Sequence, residues 1–135
     1  MISLQRKIEV EGDGEATEFL CIATFLPVRS WRYVIPFFRL TGRVQDQLKH
    51  TKGLARYGLR MQPLSKKFWT FTVWKSRESM ESFVPTQPHN EAINQFKDWA
   101  GEGAAFVEWN SNNGSINWET GMEKLRNPTF YYKKT

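Results

Sequence analysis

The chain has 135 residues, 40% apolar and 24% charged, with a net charge of +5; that length suits one domain with a core of its own. A single cysteine, Cys21, excludes an internal disulfide framework and a multi-cysteine zinc site. No stretch approaches the roughly 18 apolar residues that cross a bilayer, and "MISLQRKIEVEGDGEATE" lacks the apolar segment of a signal peptide, so a soluble cytoplasmic protein is expected.

Residues 1–18 read as an N-terminal extension or an edge strand running through Ile2, Leu4, Ile8 and Val10. "FLCIATFLPV", Phe19 to Val28, is almost continuously apolar and ends at a proline, the pattern of a strand buried on both faces. Cys21 lies within it and is expected as a small buried side chain. After "RSWRYVIP", Phe37, Leu40, Val44 and Leu48 recur at helical spacing, with Pro36 near the helix start and Gly53 beyond its end. "LARYGLRMQPL" and "KFWTFTVWK" predict an antiparallel hairpin over Leu54–Leu64 and Phe68–Lys75. Its second strand is apolar on both sides, with Phe68 and Trp74 on one face and Trp69, Phe71 and Val73 on the other.

Ser76 is a good N-cap for a helix that Pro85 interrupts and Pro88 restarts, through Ala92, Ile93, Phe96 and Trp99. "AAFVEWN" predicts a fourth strand, Ala104 to Asn110. A short helix carrying Trp118, Met122 and Leu125 follows, then an extended "TFYYK". The main domain spans 19–110, and 111–135 add a C-terminal helix and tail to it.

The order β-α-β-β-α-β is the α+β, ferredoxin-like arrangement of an antiparallel sheet with two helices on one face. Two helices leave the second apolar face open. The simplest cover is the same face of another copy, which predicts a homodimer joined through its sheets.

Charge is unevenly spread. Arg29 to Arg77 holds twelve Lys/Arg and one acid, Asp46, whereas residues 78–127 hold eight acids and three bases. That asymmetry suits solvated faces, an anionic ligand, or complementarity between two copies. The bases are scattered singly without a recognition motif, so no nucleic-acid partner is expected.

The run F-W-T-x-x-V-W from Phe68 to Trp74, the M-x-x-F of Met80 to Phe83 and the H-x-x-A-I of His89 to Ile93 resemble the dimeric α+β barrel superfamily. The branch they are similar to holds small proteins related to antibiotic-biosynthesis monooxygenases and to spheroidene monooxygenase. "GLARYGLR", "FVEWN" and, more weakly, "NWETGMEKL" extend the likeness. The resemblance implies an aromatic-lined pocket between helices and sheet, with Trp74 and His89 as the residues that carry over. It also implies a cofactor that is either absent or haem, with His89 as axial ligand if haem binds. Haem-degrading members place an Asn near the haem, and Phe19–Val28 contains none, which counts against that activity.

His89 opens a helix whose free N–H groups disfavour an imidazolium, so a neutral base or metal ligand is the functional reading and a capped polar side chain the plain one. His50, between lysines, reads as a solvent residue. Trp69, Phe71 and Trp74, with Trp99 and Trp109, either line a flat pocket or fill core and interface. Arg60 with Arg56, at strand period, could hold a carboxylate. G-x-S-x-G, P-loop and paired-His signatures are missing, and "GEGAAF" ends a helix, the wrong order for a phosphate loop. The chain therefore reads as a monooxygenase-like protein acting on an aromatic or polyene small molecule through His89, with a non-enzymatic dimeric module for a small apolar ligand or haem as the alternative.

Overall fold

The computed structural model describes the backbone of residues 4–9 and all of residues 18–133. Among these described residues, six strands form one antiparallel sheet: β1 (Leu4–Glu9), β2 (Phe19–Pro27), β3 (Leu54–Gln62), β4 (Lys67–Trp74), β5 (Ala105–Ser111) and β6 (Phe130–Tyr131), in the order β1-β3-β4-β2-β5-β6. The inner four give the ferredoxin-like order, so the expected α+β class holds. β1 is the edge strand on β3, from Leu4 opposite Met61 to Glu9 opposite Arg56; Ile2 and Val10 lie outside the described residues.

The helices follow the sequence signals closely. Ser30 caps a single 3-10 turn, Trp31–Tyr33, that feeds α1 (Val34–Leu48), whose Phe37, Leu40 and Leu48 are buried. The chain then reverses through Gly53 at φ +84°, a conformation open to glycine at little cost. Ser76 Oγ accepts from Ser79 N at the start of α2 (Arg77–Phe83), and α3 (His89–Trp99) begins after the proline break. Asn117 Oδ1 caps α4 (Trp118–Lys124) from Thr120 N.

Strand alternation sorts the core into two sides. Leu20 and Trp74 pack with Leu48, Met80 and Phe83 beneath α1 and α2, and Phe68 packs with Phe37 and Phe96. Cys21, Ala23, Phe71, Val73 and Val107 point the other way. Burial pushes the Cys21 thiol up to about 11, which leaves it an inert core group.

That second face is not left open, as two helices alone would leave it. α4 folds back over it, placing Trp118, Met122 and Leu125 on Ala23 and Phe71. Gly121 makes the approach possible: a Cβ there would sit 3.2 Å from Phe71 Cε2. Phe25 and Trp69, stacked at 5.4 Å, stay half-buried on this face.

The charge asymmetry closes partly within the chain. Arg43 of α1 pairs with Glu91 of α3 at 3.1 Å, and Arg77 of α2 with Glu108 of β5 at 2.7 Å. Each joins the basic segment to the acidic one. Being exposed on the arginine side, such pairs orient elements more than they stabilise them.

Candidate active site

A cavity of about 540 Å³ lies between the sheet and the three helices α1, α2 and α3. Its floor comes from the helix-facing residues of two central strands, Ile22 in register with Thr72 and Thr24 with Thr70, with Leu26 beyond them. Phe106 and Glu108 of β5 continue it. Phe37, Leu40 and Val44 of α1 form one wall, Met80 and Phe83 of α2 another, and His89, Ile93 and Phe96 of α3 a third. The lining is largely aliphatic and aromatic, as suits an apolar ligand held by a few polar groups.

His89 is the first residue of α3 and faces this cavity. Its Nδ1 lies 2.9 Å from the carbonyl oxygen of Val84. A carbonyl only accepts, so Nδ1 carries the proton and the neutral ring keeps a lone pair on Nε2. The ring lies 4.6 Å from that of Phe83, and the His89 backbone N–H donates to Gln47 Oε1 at 3.2 Å. Burial lowers its pKa from the ordinary 6.5, and the Val84 bond opposes that only in part. The imidazole is neutral at pH 7.

Trp74 is 2% exposed; its indole N–H donates to Thr72 Oγ1 at 2.9 Å and its ring lies 5.4 Å from Phe83. Thr24 and Thr70 share a hydroxyl–hydroxyl hydrogen bond across the floor. Glu81 and Glu108 lie in the lining, and Arg77 bonds Glu108 and approaches Glu81 at 3.9 Å. Among the described lining residues there is no Lys or Arg.

The structure brings together His89 and Trp74 of the expected set, with Trp99, and separates the rest. Trp69, Phe71 and Arg60 stand on the opposite sheet face, because each is an odd step from the helix-facing residues Thr70, Thr72 and Leu59. Phe71 is buried against Trp118 and Trp109 at 5.7 and 5.4 Å. Arg60 sits over the Trp69 ring at 5.8 Å, and Arg56 donates to Gly114 O at 2.5 Å. Neither arginine reaches the cavity. The floor threonines and the two lining carboxylates were missed; for Thr70 and Thr72 the signal was the parity of Trp74, which puts them on its own face.

No family model and no curated protein sequence matches the chain. Solved structures do. A protein of Nitrosomonas europaea provisionally assigned as an antibiotic biosynthesis monooxygenase superposes with a TM-score of 0.60 at 16% identity, covering 72% of this chain and 92% of that one. SnoaB of Streptomyces nogalater, a cofactor-independent oxygenase, gives 0.53 at 12% identity over 75% and 97%. LmHde of Listeria monocytogenes, a heme-degrading enzyme, gives 0.58 at 14% identity over 76% and 65%. At such identities the likeness shows the monooxygenase-like fold. Among the described residues, no helix is long and apolar enough to cross a membrane.

Proposed function

We propose that this chain oxidises a neutral aromatic or polyene molecule in the cavity, with His89 as general base and no resident cofactor. One observation carries the reading: a neutral imidazole, with one nitrogen committed to Val84, lines an otherwise apolar cavity large enough for a polycyclic ligand. Such a base removes a proton only from an acidic position, one flanked by aromatic rings or double bonds and conjugated to a carbonyl. The carbanion then passes an electron to dioxygen, the radical pair joins as a peroxide anion, and the proton held by His89 returns to it; the resulting hydroperoxide loses water. The methylene becomes a carbonyl, one oxygen atom of O2 entering the product and the other leaving as water. The apolar walls exclude solvent from the carbanion.

Haem fits poorly. His89 Nε2 suits an axial ligand, but the two carboxylates of haem would meet a lining that carries Glu81 and Glu108 and, among its described residues, no Lys or Arg to receive them. No step is assigned to it.

A second copy is proposed to cover what α4 leaves of the second sheet face, where Phe25 and Trp69 stay half-buried. Oxygen-electrode measurements with anthrone test the activity. Uptake of one O2 per anthraquinone formed, lost in His89→Ala, supports it. Saturable binding without uptake would leave the chain a ligand-binding module, the alternative reading of the same cavity.

A further inference from the structure

The floor of an apolar cavity is an odd place for paired threonines. Valine has nearly the same shape and equal strand preference, and burying a hydroxyl is costly unless it is hydrogen-bonded. Thr24 and Thr70 meet this by bonding each other, but two hydroxyls own two hydrogens and one bond uses only one. The second finds no acceptor among the described residues. Around the pair lie Leu26 on one side and Ile22 with Thr72 on the other, and Thr72 Oγ1 already accepts from the Trp74 indole.

We propose that Thr24 and Thr70 form an oxygen-binding subsite that receives the carbonyl of the substrate; this rests on the function proposed above. The cavity then offers a hydroxyl donor on its floor and the Nε2 lone pair of His89 on its wall. That polarity matches a neutral molecule with a carbonyl at one position and an acidic C–H at another, conjugated to it. As the proton passes to Nε2, the C–H electron pair delocalises onto the carbonyl oxygen. The threonine hydrogen bond is strongest in that charged state, so the pair stabilises the enolate as well as selecting the ligand. An anionic ligand is disfavoured by Glu81 and Glu108, so the specificity is for uncharged molecules.

Two tricyclic probes differing in one group test this: anthrone, and 9,10-dihydroanthracene, which lacks the carbonyl. Affinities for the full-length protein are read under argon from tryptophan fluorescence. The ratio of the two affinities should fall about fivefold in Thr24→Val/Thr70→Val, the size of one neutral hydrogen bond, and should survive in Thr24→Ser/Thr70→Ser. Thermal stability should hold or rise in the valine variant, since both partners are replaced together, so any change in the ratio is not a folding defect. A purely structural pair would leave the ratio alone.

Both probes binding with an unchanged ratio would overturn the subsite and leave the cavity reading standing. Failure of both probes to bind wild type would remove the subsite and the cavity reading together, whereas binding of anthrone alone supports the subsite. Infrared difference spectra of carbonyl-labelled anthrone on wild type give a check that needs no variant. A stretch shifted down from its position in alkane supports the hydrogen bond, and an unshifted one refutes it.

Discussion

The carbonyl oxygen of Val84 accepts a hydrogen bond from His89 Nδ1 at 2.9 Å, across the break between α2 and α3. In a continuous helix that oxygen would accept from the N–H four residues on. That residue is Pro88, which has none. The orphaned carbonyl takes the imidazole instead, so the proline that restarts the helix also sets the histidine tautomer.

Linkage gives the first prediction. Burial holds the His89 pKa below its ordinary 6.5, so above that pH the ring is neutral in both folded and unfolded chains and contributes no pH dependence. Below it the unfolded chain binds a proton that the folded one resists, so stability falls as pH drops from 6.5 towards the folded value. His89→Gln should lack this limb. Urea unfolding of both proteins between pH 5 and 8 checks it, and parallel curves would refute it. The acid limb of any His89-dependent oxygen uptake should likewise lie below pH 6.5.

Gly53 supports a prediction about folding. Its φ is +84°, and a Cβ there would lie 2.1 Å from Ser79 Oγ. Gly53→Ala therefore meets both the left-handed penalty, about 1–2 kcal/mol, and a clash at the α2 cap. Stability should drop by at least about 1 kcal/mol, with Ser79→Gly restoring only the clash component. A neutral Gly53→Ala in urea unfolding would contradict the tight reversal between α1 and β3.

The fold was legible because strong local signals agreed. Proline breaks at Pro85 and Pro88, the Ser76 cap and the doubly apolar β2 and β4 each named one element. The site was less so. His89 and Trp74 came through a resemblance, whereas Thr24 and Thr70 read as ordinary strand residues until registered opposite each other. Trp69 and Phe71 show the reverse failure: aromatic type suggested a pocket, while their odd spacing from Trp74 and Thr70 had already put them on the other face. The fate of α4 lay beyond pattern reading, because its stripe of Trp118, Met122 and Leu125 does not say which sheet face it meets.

The stacked Phe25–Trp69 pair carries the dimer prediction. Light scattering at tens of micromolar should give twice the 15.9 kDa chain mass. Trp69→Glu puts a charge on the half-buried second face and should yield a monomer whose anthrone binding is retained, since the cavity lies across the sheet. A wild-type monomer at that concentration would refute the pairing, and α4 would then be the whole cover.

Haem gives the last prediction, which follows from charge. His89 presents a free Nε2, so an axial bond is chemically open, and any failure to bind must come from the rest of the cavity. Glu81 and Glu108 lie in the lining, with Arg77 already committed to Glu108 at 2.7 Å. Haem carboxylates therefore meet like charge, and at Glu108, whose side chain is 24% exposed, that repulsion is screened less than at an open surface. Added haem should give no sharp Soret band that His89→Ala abolishes. Replacing both carboxylates, as Glu81→Gln/Glu108→Gln, releases Arg77 and should raise haem affinity at least severalfold. A His89-dependent band in wild type, unaffected by the double change, would restore haem as the cofactor and displace the cofactor-free mechanism.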